Sequence, residues 1–173
     1  MSGSQRSGIE QMLIARSLER SIAQLDLARF SGKTVWLEVY SLTGDTQFAN
    51  KLIGTEMQEK GLKLATDSNK ADFTVKVFLT AFGVDTGQTL IGLPAFSAPV
   101  VNLPVPEIAL FKSDRNRGHT QLRLYAFEES TQKLVEKSAL IDGRSKYDDY
   151  KVLLVIGFSV DDLDETSPSS GAD

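Results

Sequence analysis

A single histidine and no cysteine bound the chemistry open to this chain of 173 residues. The lack of thiols removes disulfides, thiolate metal ligands and cysteine nucleophiles together. The lone imidazole, His119, has no second histidine to help it hold a transition metal. It follows Gly118 and reads as a solvated residue of a hairpin turn. Carboxylates gather at Asp148-Asp149 and again at Asp161, Asp162, Asp164 and Glu165, but neither run has the spacing of a calcium loop, so both read as solvated acidic segments. Gly32-Lys33-Thr34 imitates the end of a phosphate-binding loop. The first glycine of that motif would fall at position 27, which is Leu27, and the tripeptide follows a helix and opens a strand, the reverse of the required order. Glu107 is the most suggestive acid. It follows Pro106, opens the apolar stretch Ile108 to Phe111, and would be partly desolvated beside Arg123 or Lys112, the setting in which a carboxyl pKa moves. No catalytic companion accompanies it, so structural ion pairing is the reading taken. The sequence predicts no enzyme, no catalytic residue, no metal and no cofactor.

A formal net charge of −4 and a pI near 5.1 leave no electrostatic footprint for nucleic acid. Lys112, Arg115 and Arg117 surround Asp114 and read as a polar turn spanning Ser113 to Gly118.

With catalysis set aside, the stretch Thr86 to Pro106 (TGQTLIGLPAFSAPVVNLPVP) stands out. It carries no charge and holds four of the five prolines, Pro94, Pro99, Pro104 and Pro106. Burying each apolar side chain gains about 1.5–3 kcal/mol, whereas ordering each backbone residue costs about 1–2 kcal/mol. The two nearly cancel, so the strip should settle only against a surface: its own sheet, a neighbouring copy, a partner or a lipid interface. The candidate contact residues are Leu90, Ile91, Leu93, Pro94, Phe96, Val100, Val101 and Leu103.

The elements that would carry this strip are legible from period and punctuation. Ser7-Gly8-Ile9-Glu10 has the form of a capping box, and Ile9, Met12, Leu13, Leu18, Ile22 and Leu25 follow at helical spacing, with Phe30-Ser31-Gly32 as the predicted stop. Lys33 to Leu42 alternates as a strand. Phe48, Ala49, Leu52, Ile53 and Met57 mark a second helix closing at Gly61, and Leu62 to Ala65 a short strand. Phe73 to Thr80 is apolar on both faces in part, which predicts a central strand. Beyond the strip, strands are expected at Ile108 to Lys112, Thr120 to Phe127 and Lys133 to Ile141, then a connector at Tyr147 to Tyr150 and a last buried strand at Val152 to Phe158.

This order predicts an α/β (α+β) two-layer sandwich, two helices on one face of a mixed, mostly antiparallel sheet of five or six strands. The proline-rich strip is the obvious cover for the other sheet face, or an intersubunit contact. Residues 1–6 read as a disordered linker, 7–160 as one domain and 161–173 as a disordered acidic tail. No stretch of about 18 apolar residues free of proline suggests a membrane helix.

Several segments together resemble an uncharacterised family of Gram-negative cell-envelope lipoproteins, a domain of unknown function. They are RSGIEQMLIARSLERSIAQLD, ADFTVKVFLTAFGVDTG, IGLPAF, PEIALFKSDRNRG and LRLYAFEESTQKLVEKS. The order of elements is also similar to small lipoproteins of the curli-secretion type, which form rings. The resemblance implies a lipidated cysteine upstream of Ser2 and a body on the periplasmic side of the outer membrane, the alternative being the cytoplasm. The uncharged strip, with no catalytic constellation in the sequence, points to self-assembly or docking to another envelope protein through that strip. A carrier or sensor holding an apolar ligand or peptide between sheet and strip is the alternative function.

Overall fold

The computed structural model describes the backbone of residues 7–93, 96–98, 103–105, 108–152 and 156–161, and the side chains of residues 7–92 and 110–151. The expected linker 1–6 and tail from residue 162 lie outside the described residues.

Helix α1 (Gly8–Ala23) begins at its capping box: the Glu10 N–H donates to Ser7 Oγ at 3.2 Å and the Ser7 N–H to the Glu10 carboxylate at 2.9 Å. Each side chain thereby satisfies a donor that the first turn would leave orphaned. Leu13, Leu18 and Ile22 are fully buried, whereas Met12, expected on the same stripe, is exposed. The helix stops at Ala23, earlier than Phe30. Lys60 caps the end, its ammonium donating to the carbonyls of Ile22 at 3.1 Å and Leu25 at 2.9 Å, where a cation also meets the negative end of the helix dipole. A 3-10 turn at Ala28–Phe30 then leads through Gly32, at φ +75°, into the sheet.

Strand β1 (Thr34–Ser41) is followed by helix α2 (Thr46–Glu59), which Gly61 closes at φ +88°, and by the two-residue β2 (Lys63–Leu64). The remaining strands are β3 (Phe73–Leu93), β4 (Phe96–Ala98), β5 (Leu103–Val105), β6 (Ile108–Glu128), β7 (Leu134–Lys137), β8 (Ile141–Val152) and β9 (Ile156–Asp161). The main sheet runs β2-β1-β3-β6-β8-β9, with β7 pairing the end of β6, while β4 and β5 form a separate pair. Strand β1 is parallel to both its neighbours and the other pairings are antiparallel. Both helices lie on one face, burying Val35, Val75, Val77, Leu122, Leu124 and Ala126 against Leu18, Ile22, Ile53 and Met57. The two-layer α+β sandwich with a mixed sheet is thus the architecture found, and β3 lies centrally between β1 and β6.

Several expected boundaries give way to one fact: β3 and β6 are 21 residues long each and pair from end to end, interrupted by register shifts at Leu79/Ala81 and Ile91/Gly92. The polar run Ser113 to Gly118 is the middle of β6, not a turn. Tyr147 to Tyr150 is not a connector but part of β8, paired with Ser113 to Asn116. The expected strand Lys133 to Ile141 is divided between β7 and the first residue of β8, and Val152 to Phe158 between the ends of β8 and β9. Asp161, assigned to the tail, belongs to β9.

Helix α1 crosses β6 and β8 at unusually short range. A Cβ added to Gly118 would overlap the Leu13 carbonyl and the Ser145 hydroxyl, and one added to Gly143 would overlap the Ser17 carbonyl and the Ser21 hydroxyl. The bed is hydroxyl-rich, with Ser145 Oγ donating to the Leu13 carbonyl at 2.7 Å and Ser21 Oγ to the Thr120 carbonyl at 3.2 Å.

Candidate functional site

The sheet face opposite the helices carries side chains that an ordinary solvated face would not. Tyr40 stacks on its register partner Phe78 across β1 and β3 with ring centroids 5.0 Å apart, and Phe78 meets Tyr125, diagonal to it on β6, edge to face at 5.7 Å. Lys76 lies 5.5 Å over the Phe127 ring, and Lys137 lies 5.7 Å over Tyr125. These contacts order the rings but leave Tyr40 and Phe78 exposed. Glu38 anchors the β1 side. It accepts from the Trp36 indole at 3.2 Å and the Tyr40 hydroxyl at 3.0 Å, and pairs with Lys76 at 3.5 Å. The carboxylate favours the protonated phenol, so the hydrogen bond to Glu38, joined by its negative charge, raises the Tyr40 pKa.

Beside this ladder lies a groove of about 620 Å³ floored by Phe78, Tyr125, Phe127 and Leu140 and edged by Lys76, Thr80, Gln121 and Arg123. The Nε of Arg123 is buried and has no hydrogen-bond partner. Glu107, the partner expected for it, lies outside the described residues. A second groove of about 620 Å³ opens on the helical side between Met12 and Phe48, with Asp45 at its edge.

The uncharged strip is sheet wherever its backbone is described. Its first residues, 86–93, continue β3 and pair with β6, so they are sheet rather than a lid on it. From Asp85 to Gly92 only Leu90 is half-buried and the rest are exposed, Ile91 to 58%. Leu93 closes β3, Phe96 opens β4 and Leu103 opens β5, in an antiparallel pair that sets Phe96 opposite Val105. Pro94, Val100 and Val101 lie outside the described residues.

The polar centre of the long strands is organised by ion pairs. His119, expected in a solvated turn, is mid-strand in β6, and its Nε2 meets an Asp142 carboxylate oxygen at 2.5 Å while Arg144 holds the other at 2.8 Å. Burial pushes the Asp142 carboxyl up, but the hydrogen bonds from His119 and Arg144 outweigh it and the pKa is lowered. Arg117 grips Asp148 with both terminal nitrogens, the Nη2 bond being 3.0 Å, and Tyr150 adds a third contact. The Arg117 hydrogen bond dominates the desolvation of this buried acid, so its pKa also falls. Such forked pairing is what fixes register in a polar stretch. Among the described residues no three His, Asp or Glu side chains gather as metal ligands, and no helix is long and apolar enough to cross a membrane.

No protein-family model matches the chain, and no curated protein matches it. Among solved structures it is similar to lipoprotein GNA1162 from Neisseria meningitidis, with 7% identity, 66% of this chain and 82% of that one covered, and a TM-score of 0.38. It is also similar to the LpoB C-terminal domain from Salmonella enterica, with 7% identity, 76% and 94% covered, and a TM-score of 0.36. A likeness of this depth is one of element order and carries no function across.

Proposed function

We propose that this chain is a non-enzymatic protein of the Gram-negative cell envelope, lipid-anchored on the periplasmic side of the outer membrane, that docks further copies of itself or another envelope protein through the strip 86–106. The family resemblance of its segments supports the location. One observation carries the docking role: residues 86–92 are held at fixed register against β6, yet Ile91 is 58% exposed and Leu110 on β6 is 55% exposed. Apolar side chains already fixed on paired strands lose little entropy on association, which favours their use as contacts. The test is light scattering after size exclusion, together with photo-crosslinking from position 91 in intact cells. Self-association or a discrete crosslinked adduct, lost in an Ile91→Ser, Leu110→Ser variant of unchanged thermal stability, is the expected outcome. A monomer that yields no adduct sinks the reading.

The groove on the open sheet face favours a second reading, a carrier or sensor that holds an apolar ligand there. Its volume falls inside the range of about 300–1,000 Å³ usual for small-molecule sites, and its floor is aromatic.

A further inference from the structure

The second reading leaves the ligand unnamed, and the inference drawn here rests on that reading. The apolar floor of the groove, Phe78, Tyr125 and Phe127, asks for a hydrocarbon body. Its polar edge is made of donors. Lys76 is already neutralised by Glu38. Arg123 joins none of the ion pairs among the described residues, and its Nε–H is shut away from water with nothing to accept it. Gln121 is arranged to donate as well: Thr80 Oγ1 donates to its Oε1 at 3.2 Å, which leaves the amide N–H pair for another acceptor. An N–H donor shut away from water with no acceptor among the described residues is costly, because it gives up its bond to water without a replacement. An anion supplied by a ligand removes that cost.

We propose that the open-face groove binds an amphiphile with one apolar chain and one anionic head group, carboxylate or phosphate, the head lying on Arg123 and Gln121 and the chain along the rings of Phe78, Tyr125 and Phe127. A single acyl chain with its head group suits a groove of about 620 Å³, within the usual size of such sites.

The chain provides its own reporter. Trp36 is its only tryptophan and lies on the same sheet face, in register with Thr74 of β3. Full-length protein is titrated with dodecanoate, dodecyl phosphate and dodecanol below their aggregation limits, followed by Trp36 fluorescence and by calorimetry. The expected result is saturable binding of at least one of the two anions, tighter than that of dodecanol. Arg123→Gln should weaken the anion by about tenfold or more, the cost of a lost charged hydrogen bond, and leave dodecanol unchanged. Gln121→Leu, which keeps the guanidinium, should weaken it by a smaller factor and stands in if the arginine variant does not fold. The tighter of the two anions identifies the head group as carboxylate or phosphate. Equal binding of anion and alcohol, unaffected by either substitution, overturns the anionic head while leaving an apolar groove ligand in place. No saturable binding of any of the three probes overturns both.

Discussion

Ser17 on α1 and Thr120 on β6, 103 positions apart in the sequence, share a 2.7 Å hydrogen bond between two fully buried hydroxyls. Ser17 Oγ also donates to the Ile14 carbonyl at 2.9 Å, and a serine has one proton to give. The shared proton is therefore Thr120's, and the pair is not symmetric. Ser17→Ala strands the buried threonine donor and should cost about 1–3 kcal/mol, whereas Thr120→Val keeps the shape, leaves Ser17 bonded to Ile14 and should cost less. Denaturant unfolding of both singles and the double variant checks this. The double variant should lose less than the sum, since it leaves no stranded donor. Equal costs for the two singles would contradict the assigned direction.

Glycines on the same strands divide into two kinds. Gly118 and Gly143 lie where α1 touches the sheet, and alanine at either forces the helix outward, with an expected loss of about 1–3 kcal/mol for an overpacked core. Gly83 and Gly87 have open space where a Cβ would go and no left-handed backbone to protect. Alanine there should be neutral or stabilise by about 0.4–1 kcal/mol through the unfolded chain. Thermal melts of the four variants separate the two groups, and a Gly143→Ala protein as stable as Gly87→Ala would remove close approach as the reason for the glycine.

This division also explains what the sequence hid. Gly118 beside His119, and the glycines and Asp85 around the start of the strip, have the composition of turns. Their physical reasons are the helix packed on Gly118 and the ladder of β3 with β6, both contacts between residues far apart in the chain. Where a helix covers the sheet, alternation is clear, as in Val35, Leu37 and Val39, and α1's cap at Ser7 and Glu10 is wholly local and so readable. From Ser113 to Gly118 the side chains are polar on both faces, and the period-2 signal vanishes although the strand continues. The open-face groove was half legible. Phe78 marked β3 as central, but the reading assumed that a second apolar face must be covered. Of the strip proposed as that cover, residues 86–93 instead lengthen β3, while β4 and β5 form a separate pair.

The Arg117–Asp148 pair sets a pH dependence with a defined sign. Asp148 has a folded pKa below the ordinary aspartate value, so the unfolded chain binds its proton first as pH falls. Its contribution to stability is complete above about pH 4 and is lost as pH drops through the folded pKa. Asp148→Asn should therefore lower stability at neutral pH and flatten the acid limb of the stability curve. Urea midpoints measured from pH 2 to 7 test it. An acid limb as steep in the variant as in the parent would show that the charge of Asp148 is not what Arg117 holds.

Glu38 joins the aromatic ladder to the charge of the groove, and one substitution reads both. Replacing the carboxylate by an amide in Glu38→Gln removes the acceptor that favours the protonated phenol, so the Tyr40 titration should move down toward the ordinary tyrosine value. Tyrosine ring-carbon NMR resolves this against the other three tyrosines. The same change frees Lys76 from the one counter-charge it has among the described residues, leaving a second unneutralised cation beside Arg123. Affinity for an anionic amphiphile should then rise, opposite in sign to the fall expected for Arg123→Gln, and the gain should shrink with added salt because Lys76 is partly exposed. A Tyr40 titration that stays high in Glu38→Gln would place the cause of its shift elsewhere. Unchanged anion affinity in the same variant would show that Lys76 does not act on the groove.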